Sequence, residues 1–247
     1  DRPYYFNFFR WRSLPEILEL WGQGGLPLLE LGYPVLAATL VQALLASLVL
    51  ILLPLALLRR REPTAGGTHT GRIALFFMAI GLAFLMLEIA FIQRFILFLS
   101  HPLYAVAVVL CGFLLFSGLG SRFAGRLANR RRGILAALTA LATVALAYLW
   151  LLPPLFQALI ALPDPLKIAL SLALIAPLAF PMGMPFPLAL SNVSARSPGL
   201  VPWAWGINGC ASLISAVLAT LLAIHFGFTL VVLGALGLYG LAALSRP

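Results

Sequence analysis

RIALFFMAIGLAFLMLEIAFIQRFILFLSHPLYAVAVVLCGFLLFSGLGS, residues 72–121, decides the fold. Two long apolar runs meet at a tight turn of Ser100, His101 and Pro102. Each run is close to the roughly 20 residues that an α-helix needs to cross ~30 Å of hydrocarbon. The first run carries Glu88, Gln93 and Arg94 inside an otherwise apolar helix. An ionised carboxylate at that depth costs at least ~2.5 kcal/mol, so it is expected to face a bundle interior and to need a partner.

Composition extends this reading to the whole chain. Of 247 residues, 62% are hydrophobic and only 9% are charged, against about 25% charged in a soluble domain. The mean hydropathy is +1.06, and lipid is the expected solvent for much of the surface. The net charge of +9 does not point to nucleic acid, because the arginines flank apolar runs in short clusters, as topology determinants do. Cys111 and Cys210 both lie in apolar runs and are expected to be reduced, structural thiols with no disulfide framework. The chain opens at Asp1 without a signal pattern, which suggests a fragment or a processed chain.

Seven apolar stretches are predicted as spans: 34–58, 73–99, 103–121, 133–152, 166–186, 203–225 and 228–244. The fold class is therefore all-α, a polytopic transmembrane helix bundle of about seven spans. The last stretch carries Gly234, Gly237 and Gly240, a spacing that predicts a close-packing face. Arg59–Arg61 and Arg72 lie between the first two spans, and Arg122, Arg126 and Arg130–Arg132 between the third and fourth. The positive-inside rule puts loops 59–72 and 122–132 in the cytoplasm, in a bacterial inner membrane. Seven spans then place residue 1 outside, although the arginines of the N-terminal segment favour the reverse. Loop 62–71, EPTAGGTHTG, reads as flexible and polar, with His69 solvated.

Residues 1–33 do not read as a span. DRPYYFNFFRWR mixes aromatic rings with Arg2, Arg10 and Arg12, a composition suited to the headgroup layer. SLPEILELW follows as a short interfacial helix, with Ser13 as N-cap and Pro15 in the first turn. The division is thus an interfacial segment, 1–33, and a transmembrane domain, 34–247.

Three features could carry chemistry. Glu88 sits somewhat past the middle of its helix. Arg94 lies six positions on, about 240° around the helix, so the two cannot pair directly. Arg94 can snorkel to the interface, whereas Glu88 needs Asn208, Ser212, Ser215 or His101. The second feature is PMGMPFP, Pro181–Pro187, whose prolines cannot continue an ordinary helix. Backbone freed at membrane depth is tolerated where it is buried in protein or lines a cavity, and Met182, Gly183 and Met184 are the residues to line it. The third is PWAWGINGCAS, Pro202–Ser212: Trp203 and Trp205 mark an interface, and Asn208 enters among small residues as interhelical glue. Candidate binding residues are therefore Glu88, Gln93, Arg94, His101, Met182, Gly183, Met184 and Asn208. No catalytic residue and no metal ligand set stands out, and no nucleotide-binding or metalloprotease motif occurs.

Taken together, GLAFLMLEIAFIQRFILFLSHPLYAVAVVLCGFLLFSGLGS, FPMGMPFPLAL and PWAWGINGCASLISAVLA closely resemble the membrane region of bacterial multi-span spermidine synthase-like proteins. The opening DRPYYFNFFRW also resembles the linker that follows the soluble domain of those proteins. The resemblance covers nearly the whole chain. It implies a Rossmann-like transferase domain, fused or associated, similar to aminopropyltransferases and methyltransferases and using an S-adenosylmethionine-type cofactor. The acidic residues that would bind nucleoside and amine have no counterpart in this chain. The matching positions are Glu88, Gln93, Arg94, His101, Pro102, Pro181, Gly183, Pro185, Pro187, Asn208 and Gly209. A domain using S-adenosylmethionine belongs in the cytoplasm, in tension with a residue 1 outside.

The leading expectation is a membrane module that anchors or feeds such a domain, with the lipid bilayer and that domain as partners. An accessory subunit of a larger electron-transfer or photosynthetic membrane complex is the second reading. A small-solute transporter with Glu88 as counter-ion is the third.

Overall fold

The computed structural model describes residues 32–54 and 67–246. The aromatic and basic segment, its interfacial helix, Arg59–Arg61 and residues 62–66 lie outside the described residues. Among the described residues, eight α-helices follow one another: α1 Gly32–Ala46, extended by a π-helical stretch Ser47–Leu52; α2 Gly67–Leu99; α3 Pro102–Ala124; α4 Arg130–Ala158; α5 Asp164–Met182; α6 Pro185–Arg196; α7 Val201–Phe226; and α8 Phe228–Leu244. Among the described residues there is no strand. Among the described residues, five runs are long and apolar enough to cross a membrane: Thr70–Leu99, Pro102–Ala124, Arg130–Ala158, Asp164–Arg196 and Pro198–Phe226. Pro34–Val49 and Phe228–Leu244 are shorter apolar helices. This architecture fits a multi-pass membrane protein.

Local chemistry explains the helix ends. Ser100 closes α2 at φ 61, a left-handed conformation uncommon for a residue with a Cβ. His101 is extended, as the residue before a proline prefers, and Pro102 opens α3, where its missing N–H costs nothing. The Asn129 side chain caps α4 by accepting from the Arg132 N–H at 3.0 Å. Asp164 places a favourable negative charge in the first turn of α5. Gly227, at φ 85 and ψ 169, makes the one-residue reversal between α7 and α8 in a backbone region reserved for glycine. The loop expected over 62–71 gives way at Gly67, where α2 begins.

α2 is the central helix. Phe76, Phe77, Ala79, Ala83, Leu87 and Phe95 are fully buried around its circumference, the condition of a helix that is apolar all round and surrounded by protein. It packs against α7, α8 and α3, while α5 lies along α3. α3 and α4 turn apolar side chains outward instead, with Leu103 86% and Trp150 85% exposed.

The contacts sort the helix termini into two ends. At one, Arg72 donates to the Leu244 carbonyl at 3.4 Å and Arg130 to the Ser191 carbonyl at 3.2 Å. Arg122, Arg126, Arg131, Arg132, Arg196 and Arg246 belong to the same termini. At the other, Phe98 stacks on Phe156 with centroids 4.5 Å apart, Lys167 sits over Phe98 and Arg94 over Phe228.

Two sequence expectations change here. The apolar run expected over 166–186 continues to Arg196, but in two helices: α5 passes through Pro177 and Pro181 and ends at Met182, and α6 resumes at Pro185. The prolines therefore confine the interruption to Gly183 and Met184. The glycine stripe of α8 is also not its packing face. Nothing lies within 4 Å of a Cβ placed on Gly237 or Gly240, and Gly234 meets only Met86 Cε at 3.3 Å. α8 buries Phe228, Val231, Val232, Ala235, Tyr239 and Ala242 instead.

Candidate functional site: a cavity at the helix break

α2 and α7 are held by a ladder of polar side chains. Asn208 Nδ2 donates to the Phe77 carbonyl at 3.1 Å, Ser212 Oγ to Gly81 at 3.4 Å and Ser215 Oγ to Leu82 at 2.6 Å. Residue numbers rise together on both helices, so α2 and α7 run parallel. Positions 208, 212 and 215 share one face of a 3.6-residue helix. With Cys210 and Ala211 buried beside them, small side chains let the backbones approach, as membrane helix pairs require. A Cβ on Gly81 would lie 2.7 Å from the Asn208 carbonyl and 2.8 Å from its Nδ2, so glycine is required there.

A second close contact joins α3 to the break. A Cβ on Gly120 would overlap the Phe180 carbonyl, and a Cβ on Gly183 the Ser117 carbonyl. The two contacts are reciprocal: each glycine lies against a carbonyl three residues before the other glycine. Each therefore turns a Cα–H toward a carbonyl oxygen, a weak but recurrent helix–helix contact. At the break, Pro185 and Pro187 lack the N–H groups that would serve the Pro181 and Gly183 carbonyls. Met184 N takes the Pro181 carbonyl at 3.2 Å, and Gly183 N reaches Ala179 and Phe180.

Between these two contacts lies a cavity of about 460 Å³. α2 supplies Ile80, Gly81, Phe84 and Leu85, and α3 supplies Leu114, Ser117, Gly118 and Ser121. The break supplies Met182, Gly183, Pro185, Phe186 and Pro187, and Asn208, Ser212 and Tyr239 complete it. The walls are mainly apolar, with three hydroxyl-bearing serines, an amide and a phenol. Among the described residues, no carboxylate or cation lines it. The Tyr239 hydroxyl is buried with no hydrogen-bond partner among the described residues. A buried unpaired hydroxyl calls for water or a ligand group, so this one is free to donate to an occupant.

The sequence-predicted residues divide. Met182, Gly183 and Asn208 line the cavity. Met184 turns to a separate apolar cavity of about 500 Å³, walled by Phe116, Ala137, Ala140, Pro177 and Phe180. Glu88, Gln93, Arg94 and His101 do not line the cavity at the break. Glu88 is 5% exposed, and no described side chain forms an ion pair with it. The partners expected for it are engaged elsewhere: Ser212 and Ser215 each have one proton, spent on α2 carbonyls. Asn208 bonds at Phe77, eleven residues below Glu88 and about 16 Å away along the axis. Gln93 Oε1 is buried with no partner among the described residues. Arg94 lies with its guanidinium carbon 5.8 Å from the Phe228 ring centroid. His101 is exposed at the turn, edge-on to Tyr104.

Sequence reasoning missed Ser117, Ser121 and Tyr239 as lining residues. Ser117 and Ser121 flank the glycines of SGLGS, a motif that could have flagged them. Tyr239 had no local signal. Comparison with protein-family models, with curated proteins and with solved structures finds no match to this chain.

Proposed function

We propose that this chain is the integral membrane module of a spermidine synthase-like protein, serving a soluble transferase domain and holding a small ligand in the cavity at the helix break. One observation carries the reading. Three stretches far apart in the sequence, SGLGS at 117–121, PMGMPFP at 181–187 and the Asn208–Ser212 turn, converge on one cavity. These are the motifs on which the resemblance rests, and a lipid anchor alone would need no such convergence. The reading takes all seven apolar runs as crossings and the Arg-rich end as cytoplasmic. At 17 residues, α8 is about 26 Å long, within the range of a short span.

The cavity also narrows the ligand. A polyamine carries several positive charges and would need carboxylates, and none of the described residues lining the walls is one. The lining suits an uncharged amphiphile whose polar group accepts from Tyr239 and meets Ser117, Ser121 and Asn208. Native mass spectrometry of the protein released from its own membranes tests this. Gly118 lines the cavity with nothing within 4 Å of an added Cβ, so Gly118→Leu fills the space without striking backbone. A small molecule retained by the wild type and lost in Gly118→Leu supports the site. Equal retention, or none in either, contradicts it.

A further inference from the structure

At the Arg-rich end the charge is one-sided. Arg72, Arg122, Arg126, Arg130, Arg131, Arg132, Arg196 and Arg246 gather there, while the acidic groups among the described residues, Glu88 and Asp164, lie elsewhere. Part of this cluster is shaped. Asn129, Arg130, Arg131, Asn192 and Arg196 wall a cavity of about 410 Å³ between the start of α4 and the end of α6. The Arg130 guanidinium is tied to the Ser191 carbonyl at 3.2 Å, which fixes one wall. The Asn129 cap and the Asn129 carbonyl serve the N–H groups of Arg132 and Gly133, so those of Arg130 and Arg131 remain first-turn donors without an intrahelical acceptor.

Helix electrostatics make the arrangement unfavourable unless an anion is present. A helix N-terminus carries partial positive charge and favours acidic residues. α4 instead begins with three consecutive arginines and no acidic residue in its first turn. Local rules broken in this way are found at functional or strained positions.

We propose that this cavity binds a phosphate anion, with Arg131 and Arg196 forking its oxygens and the α4 N-terminus facing it. The phosphate comes from a phospholipid headgroup or from free phosphate. The site is separate from the cavity at the helix break and does not rest on its assignment.

The test uses the full chain in nanodiscs and in detergent, with phosphatidylglycerol, phosphatidylcholine and inorganic phosphate as probes. Lipid retention is read by native mass spectrometry and phosphate binding by calorimetry. A direct hydrogen bond between a guanidinium and a phosphate oxygen contributes roughly tenfold to affinity, so Arg131→Gln with Arg196→Gln should weaken phosphatidylglycerol about 100-fold. Arg122→Gln with Arg126→Gln, at the same end but outside the cavity, removes the same charge and should weaken it far less. Arg196→Gln alone, at the exposed end of α6, gives a roughly tenfold step if the double variant does not fold. Phosphatidylglycerol bound in preference to phosphatidylcholine assigns the headgroup. Saturable binding of inorganic phosphate, lost in the cavity variants, assigns the free anion. Equal weakening by both double variants, or no preference for either anion, overturns the proposal.

Discussion

Replacing Gly183 by alanine places a methyl carbon where the Ser117 backbone already is. The new Cβ would overlap the Ser117 carbonyl oxygen and stand 2.6 Å from its carbon and 2.7 Å from its Cα. Carbon–carbon contacts rest near 3.5–4.0 Å, so α3 and the break must separate by about 1 Å. No rotamer can relieve the clash, because every atom struck is main chain. Overpacking of this kind costs about 1–3 kcal/mol, and separation also pulls Gly120 away from Phe180. Alanine's advantage over glycine in a helix interior, about 0.5–1 kcal/mol, offsets little of this, since Gly183 lies at a helix end. Thermal unfolding in one detergent, followed by circular dichroism, reads the loss as a fall in Tm. Gly118→Ala is the internal control: Gly118 lies on α3 with nothing within 4 Å of an added Cβ, and the change should leave Tm unchanged or raised. Gly120→Ala with Gly183→Ala should cost less than the sum of the single changes, because both act on one interface. A Gly183→Ala protein that melts with Gly118→Ala would refute the backbone contact between α3 and the break.

Asn208→Ala removes the amide bond to Phe77 and should lower stability by about 0.6–1.7 kcal/mol, the range for interhelical hydrogen bonds in lipid; Ser215→Ala should cost a similar amount, and unchanged melting in both would count against the ladder. Glu88→Gln should leave Tm unchanged, since no described cation pairs with the carboxylate and Gln is nearly isosteric; a fall of several degrees would mean that a charge partner is present. Cysteines placed at Ala128 and at Ala161, in a chain with Cys111 replaced, should react with an impermeant thiol reagent from opposite sides of the membrane, Ala128 from the cytoplasmic side. Labelling of both from one side would break the alternation of spans.

Much of the architecture was legible because two long apolar runs around Ser100–Pro102 leave few alternatives to a membrane hairpin. The prolines of 181–187 announced an interruption, and Asn208 with its small neighbours announced a packing face. Pairing between these features was not legible. Nothing local says that Gly120 meets Phe180, or that Gly183 meets Ser117, since both contacts are main chain against main chain between residues some sixty positions apart. The α8 stripe misled for a related reason. In a helix apolar on every side, the sequence does not mark which face meets lipid and which meets protein. Gly234, Gly237 and Gly240 had the spacing of an interface, while the larger Val231, Val232 and Tyr239 do the packing. Glu88 drew attention because a buried carboxylate is costly, yet the polar side chains that might have served it bond to α2 carbonyls one to three turns away. The arginines of 122–132 were read for topology alone; only the fold brings Arg196 and Asn192 beside them.

The measurement that tests the account most directly is the intact mass and composition of the natively purified protein, with peptide mapping of whatever copurifies. A transferase-like domain in the same polypeptide, giving a mass well above 26.6 kDa, or present as a stoichiometric partner, is the expected result. A polypeptide that purifies from its own membranes with no nucleoside-binding transferase domain, fused or associated, would contradict it.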